Sequence, residues 1–278
     1  DPDYVYAAGH DANYIAISGS LDLFRREDER PLPPGNFAGD YAGGGVMLAM
    51  GVLLSIIERG KSGKGQVIDV AMTEGANYVA LPLIKWMQPG GILPTMPDGR
   101  LDASRSTLHQ APHWSNTYKC KCGGYVSVQS MEPQFYAIMI KGLGLDASTL
   151  PHQYDHTSWP WMKTRFEGIF LKKTRDEWES IFKGKDACVA PVLSIVEAAQ
   201  HPHNVARGSF GKTPEHPALF EPVPAPKLMR TPGHRPRPKP KAGAHTVKVF
   251  EELGLPRSSI AALLKSGNAI DTSAGPKL

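Results

Sequence analysis

Cysteine is scarce in this chain. Three residues in 278, Cys120, Cys122 and Cys188, leave one unpaired in any intramolecular scheme. A chain this long needs no disulfide staples, so the count points to a reducing compartment. Long apolar runs are missing too: the most apolar stretch, Val46–Ile57, has 12 residues, whereas crossing a bilayer takes about 20. No membrane span is therefore expected, and Asp1–Tyr6 has neither the basic flank nor the apolar stretch of a secretory signal. GxxxxGK[ST] is absent, and Gly60–Gly65 (GKSGKG) follows a helix pattern instead of opening one, so it reads as a turn. A lone C-x-C at Cys120–Cys122 falls short of the paired spacings of a zinc site, and no metal is expected. Charge of one sign is also in short supply. Lys plus Arg is 31 and Asp plus Glu is 27, a net +4 that suits an anionic ligand but does not imply nucleic acid.

What is present is ordinary globular composition, 41% hydrophobic and 21% charged, arranged in a β/α pattern. A short element at Asn13–Ile17 is followed by a polar surface loop to Gly35. DYAGGG at Asp40–Gly45 then leads into an apolar run that exceeds strand length and ends at Glu58, Arg59 and a Gly/Lys turn, as a buried helix does. GQVIDVAM (Gly65–Met72) is β-branched and reads as a buried strand, with a helix from Thr73 to Trp86 after it. The reading is residues 1–90 as part of a large α/β domain and 91–115 as a linker. A small α+β domain at 116–206 opens with a two-residue hairpin at Gly123-Gly124 that puts both C-x-C sulfurs on one face. Its helices are expected at EPQFYAIMIKGLGL, Trp161–Leu171 and DEWESIF. Residues 207–244 read as an extended proline-rich linker, solvated despite its basic residues. A last helix, His245–Leu253, lies in 245–278, which return to the large domain.

Three residues invite chemistry, each beside a plainer reading. His10 opens GHDANY, where Asp11 suits a helix cap. At a helix N-terminus the backbone dipoles keep an imidazole neutral, as a general base requires, yet a surface or capping histidine fits the same pattern. Asp40 precedes Gly43–Gly45 and can be an acid, base or nucleophile, or simply a cap before glycines that allow tight packing. Glu132 begins the EPQF helix, where it either complements the helix dipole or orients an imidazole.

The ordered set GHDANYIAISG, GDYAGGG, ERGKSGKGQVIDVAMTEGA, MEPQFYAIMIKGLGLD, DACVAPVLSIVEA and HNVARGSF resembles the α-methylacyl-CoA racemases of the family III CoA-transferase (CaiB/BaiF-like) superfamily. The resemblance covers nearly the whole chain, from Tyr6 to the last helix. It implies a CoA-transferase family III fold: a partly Rossmann-like α/β large domain, a small α+β domain, and an interlocked homodimer whose site lies between the large domain of one subunit and the small domain of the other. By motif it assigns His10 and Asp40 as the two catalytic acid/bases, Glu132 as the carboxylate supporting the histidine, Asn36 as an active-site asparagine, and Gly9, Asp11, Ala12, Asn13 and Tyr14 as part of the stretch that binds the acyl-thioester end of the substrate. Other members of the superfamily use an aspartate at the Asp40 position as a nucleophile, so a CoA-transferase is one alternative, and a non-catalytic dimerising fragment that lacks the CoA site is another. The pairing of His10 with Glu132 favours the racemase, which interconverts (R)- and (S)-2-methylacyl-CoA thioesters through an enolate. CoA is then part of the substrate, and no cofactor, nucleic acid or membrane span is implied. Such chains serve branched-chain fatty acid and bile acid metabolism in the peroxisome or mitochondrion; Pro276-Lys277-Leu278 is similar to a peroxisomal signal. The family ordinarily carries a further N-terminal portion with much of the CoA surface, so this chain alone is expected to bind CoA poorly or to be inactive.

Overall fold

The computed structural model describes residues 6–273, apart from 27–28, 214–215, 217 and 235–238. The expected C-terminal targeting tripeptide, most of Asp1–Tyr6 and part of the basic proline-rich stretch lie outside the described residues. The chain divides into two compact units, Asp1–Val192 and Leu193–Leu278.

The first unit opens with α1 (Asp11–Ile17). After the polar loop, a continuous helical run begins as a 3₁₀ turn at Gly35–Phe37, passes through a π-helical segment at Ala38–Val46 and becomes α2 at Met47–Ser62. α2 ends on Gly63 in the left-handed conformation (φ 72°), with the Gly63 amide donating to the Arg59 carbonyl, the glycine stop expected of such a turn. α3 (Met72–Val79) and α4 (Leu81–Trp86) together fill the span read as one helix. They separate at Ala80 because Pro82 in the first turn of α4 cannot donate a helical hydrogen bond. The π-helical segment and α3 cross at two glycines: a Cβ on Gly43 would lie 2.6 Å from the Ala76 amide nitrogen, and one on Gly75 would overlap the Gly43 carbonyl.

Three expectations for this region need correction. α2 is a helix, but it has no buried residue; Leu53 is 61% exposed and Ile57 58%. Gly65–Met72 is not a strand, and Val67 is 94% exposed. A β-branched run becomes a strand only when a neighbour takes its backbone groups, and no described strand pairs with it. Finally, the helix extends well beyond the 12-residue apolar stretch. Gly35–Ser62 spans 28 residues, with mean hydropathy 1.6 and 6% burial in its apolar window, enough by length and composition to cross a membrane. Its first half, however, packs on α3 and carries Asp40, features of a helix seated against protein.

The antiparallel sheet β1 (Ser115–Lys119), β2 (Tyr125–Gln129) and β3 (Val189–Val192) is built in that order, with Tyr118 opposite Val126 and Val126 opposite Pro191. Pro191 is tolerated because β3 is an edge. The hairpin is longer than expected: the Cys120 amide donates to the Gly124 carbonyl and Gly123 takes φ 84°, so the reversal needs three residues with a glycine in the left-handed position. Cys120 is therefore buried and Cys122 exposed, and they do not share a face. α5 (Pro133–Gly142), α6 (Trp159–Phe170) and α7 (Arg175–Phe182) cover one side. Thr174 and Glu177 form a reciprocal cap at the start of α7. Phe166, Phe170, Trp178, Met139 and Met162 are fully buried here, each contributing about 1.5–3 kcal/mol of apolar burial. Tyr118 stacks on Phe170 at 4.8 Å. The indole N–H groups of Trp114 and Trp159 both donate to the Gln153 carbonyl, at 3.0 and 2.9 Å.

The second unit holds α8 (Ile195–Gln200), α9 (Pro202–Ala206) and a hairpin of β4 (Phe210–Lys212) with β5 (Phe220–Pro222). That hairpin lies inside the stretch read as an extended linker. α10 (Thr246–Glu252) is the expected last helix, but α11 (Arg257–Lys265) follows it. Its signal was the apolar period after Pro256.

Two outcomes follow from this packing. Gly75→Ala forces the π-helical segment away from α3 and costs about 1–3 kcal/mol by overpacking, read as a lower urea midpoint. His113 is fully buried, and desolvation pushes its imidazole from 6.5 down to about 4. Above pH 6.5 the ring is neutral in both states. As pH falls from 6.5 toward 4 only the unfolded chain takes up the proton, so stability drops by up to ~1.4 kcal/mol per pH unit, and this loss levels off below 4. Urea melts at pH 7.5 and 5.0 should show a steeper loss for the native chain than for His113→Gln; equal losses would remove His113 as the cause.

Candidate active site

Gly9 lies under the Tyr14 ring: a Cβ there would sit 3.0 Å from Tyr14 Cζ, so the residue before His10 is held close to α1. His10 is the N-cap of α1, with extended backbone, and its amide donates to Asn13 Oδ1 at 3.1 Å. This fixes the turn from loop to helix and leaves the imidazole exposed.

Asp11, the first helical residue, is 3% exposed. Its Oδ2 accepts hydrogen bonds from the amides of Gly39 and Asp40, each at 2.7 Å. The reading of Asp11 as a helix cap is thus corrected: the N-cap position belongs to His10, and the Asp11 carboxylate is committed to a segment 28 residues away. One helical turn before Asp40, the Asn36 side-chain amide donates to Asp40 Oδ2. Positions i and i+4 face the same side of a helix, which is why the spacing read in sequence becomes a contact. His10, Asp11, Asn36 and Asp40 are therefore gathered on two joined segments.

Beside them lies an apolar cavity of about 880 Å³, lined by Ala7–Gly9, Asn13, Tyr14, Ala16, Ile17 and Val70–Thr73. Its size is that of a small-molecule site. Of the expected substrate-binding residues, Gly9, Asn13 and Tyr14 line it, while Asp11, Ala12 and Asn36 do not. Val70–Thr73 were missed in sequence, since a stretch read as a buried strand offers no reason to face a cavity.

Glu132 is placed elsewhere. It is exposed at the N-cap of α5 and makes no hydrogen bond to His10 within this chain. Its charge acts on Cys188, whose thiol is pushed up first by burial and then by Glu132 and Asp186. His10 and Asp40 are themselves absent from the cavity lining, although Gly9 beside His10 is part of it; an imidazole and a carboxyl group on segments joined through Asp11 are nonetheless the parts of a proton-transfer site.

The sequence model of CoA-transferase family III matches residues 3–246. The chain is 43% identical to α-methylacyl-CoA racemase of Mus musculus and 41% identical to that of Homo sapiens, each over 91% of this chain. It spans 64% of the length of those relatives. Its fold is shared with a CaiB/BaiF family protein from Brucella suis (TM-score 0.69, 19% identity, 90% of this chain and 64% of that one) and with Rv3272 from Mycobacterium tuberculosis (TM-score 0.62, 16% identity, 87% and 63%). With the match running over most of its length and the α/β fold in common, the chain belongs to CoA-transferase family III.

Proposed function

We propose that this chain carries the two-base site of a racemase acting on 2-methyl-branched acyl-CoA thioesters. The observation that carries the reading is the junction at Asp11, which ties the segment bearing Asp40 to the residue next to His10. The identity to the two racemases supports the substrate class.

Inverting the carbon beside a thioester requires a proton removed from one face and another returned to the opposite face. His10 serves one face and Asp40 the other, with Asn36 orienting the Asp40 carboxyl. A thioester Cα–H is far less acidic than either conjugate acid, and each pKa unit of mismatch costs about 1.4 kcal/mol. The enolate oxygen must therefore be stabilised, and the backbone amides that open α1 are the donors nearest His10. The apolar cavity shelters part of the acyl-CoA. Proton transfer of this kind calls on no metal or redox cofactor. Glu132 of the partner subunit supports His10 in a homodimer, which accounts for its exposure and its distance from His10 in one chain. The exposed α2 face and the unpaired Gly65–Met72 segment also favour weak binding of CoA by the chain alone.

In the intact protein, His10→Ala and Asp40→Ala are each expected to lower interconversion of the two epimers by at least ~100-fold, the usual share of a general acid/base, with the circular dichroism unchanged. Ordinary turnover in either variant refutes the assignment. Accumulation of an acyl-enzyme trapped by hydroxylamine would instead favour a CoA-transferase with Asp40 as nucleophile. Mixing His10→Ala with Glu132→Gln chains should regain activity that neither has alone, since a mixed dimer rebuilds one intact site; no recovery argues against the shared site. Isothermal titration of the chain with an acyl-CoA should show affinity weaker than micromolar, and tight binding would overturn that expectation.

A further inference from the structure

We propose that the Asp11 carboxylate is a positioning group that locks the helix bearing Asp40 to the loop bearing His10, and that it makes no contact with substrate. The proposal rests on the two-base reading above and deepens it. The carboxylate is buried, and one of its oxygens takes two backbone amides at 2.7 Å, the short distance of hydrogen bonds to a charged acceptor. Those amides belong to the residue that carries the second base and to the one before it, at the start of the π-helical segment. The other oxygen, Oδ1, is buried without a hydrogen bond. The hold on the Asp40 helix therefore falls on Oδ2 alone.

Gly39 is part of the same device. A Cβ there would stand 2.7 Å from Asp11 Oδ2 and 3.2 Å from Ile15 Cγ2, so only glycine lets the carboxylate approach both amides. What separates positioning from binding is burial: the Asp11 side chain is sealed and its acceptor oxygen is spent on two backbone amides.

The consequence is specific to a two-base reaction. A misplacement of about 1 Å can cost 100-fold in rate. If the Asp40 helix drifts from His10, either base can still remove a proton and return one to the same face, while delivery from the opposite face fails. Exchange of the α-hydrogen with solvent then outlasts inversion. A role in folding alone would lower both together, and a role in substrate binding would raise KM.

The test uses Asp11→Ala, the near-isosteric Asp11→Asn, whose carbonyl oxygen can still accept from both amides, and Gly39→Ala, which displaces the carboxylate without altering it. Two readouts are needed: hydrogen exchange of the Gly39 and Asp40 amides, and the ratio of epimer inversion to α-deuterium incorporation from D₂O. In Asp11→Ala and Gly39→Ala both amides should lose protection, and inversion should fall at least ~100-fold with a much smaller loss of deuterium incorporation and KM near the native value. Asp11→Asn should recover part of the ratio. Amides that exchange equally fast in the native chain and in Asp11→Ala, or an unchanged ratio of inversion to incorporation, overturn the proposal. A raised KM with unchanged kcat also overturns it, in favour of a substrate ligand. A native chain that neither inverts nor exchanges is the inactivity expected of this chain alone, and amide protection in the native chain and in Asp11→Ala then judges the lock by itself.

Discussion

A single carboxylate supplies the directional hold between two parts of the chain that otherwise meet through apolar packing of α1 on the π-helical segment and α3. Between α1 and Gly39 runs a polar, proline-containing loop whose regular pieces, among the described residues, are short 3₁₀ turns. Such a loop sets no geometry by itself. The Asp11 hydrogen bonds supply direction, because two amides converging on one oxygen allow only a narrow range of helix orientations. The Gly43–Gly75 crossing supplies depth, because two backbones without Cβ atoms meet closer than side chains permit. One constraint is polar and the other steric, and together they place the start of the Asp40 helix.

The rest of the first unit is unevenly packed. Around β1–β3 the aromatic rings of Tyr118, Phe166, Phe170 and Trp178 form one continuous core, against which His113 Nε2 meets the Tyr136 hydroxyl at 2.9 Å while its Nδ1 is buried without a partner. α2 is the opposite case. Its leucines and isoleucines face water along 16 residues, an apolar surface of the kind that marks contact with another body. The helix that carries Asp40 therefore draws its placement from its first turns, where Asp11 and α3 grip it, and little from its length.

Much of this was legible in sequence where a residue's job is local. The helix start at Glu132-Pro133 and the glycine stop of α2 are each fixed within one or two helical turns, and each appears in the structure. What could not be read depended on distant partners. Asp11 looks like a cap because Asp after His at a helix start usually is one, and nothing local announces that its acceptor oxygen is taken by residues 39 and 40. Gly65–Met72 has the side chains of a strand, but a strand is a relation between segments, and composition cannot supply the second member. The C-x-C pair failed for a smaller reason: alternation predicts a shared face only while the chain stays extended, and Lys121 already lies in the turn.

The exposure of His10 bears on the chemistry itself. An enolate is costly in water, and the dipoles that stabilise it act most strongly where solvent is excluded. Within one chain the imidazole stands on an open surface, while Asp11 behind it is sealed. The site is thus finished on its inner side and open on its outer side. In the proposed homodimer, Glu132 of the partner subunit would do two things at once: hydrogen-bond to the imidazole, and bring with it the wall that expels water from the reacting carbon. A rigid inner lock and a removable outer wall divide the work between them. In that proposal the first would keep the two bases on opposite faces, and the second would set the dielectric in which they act.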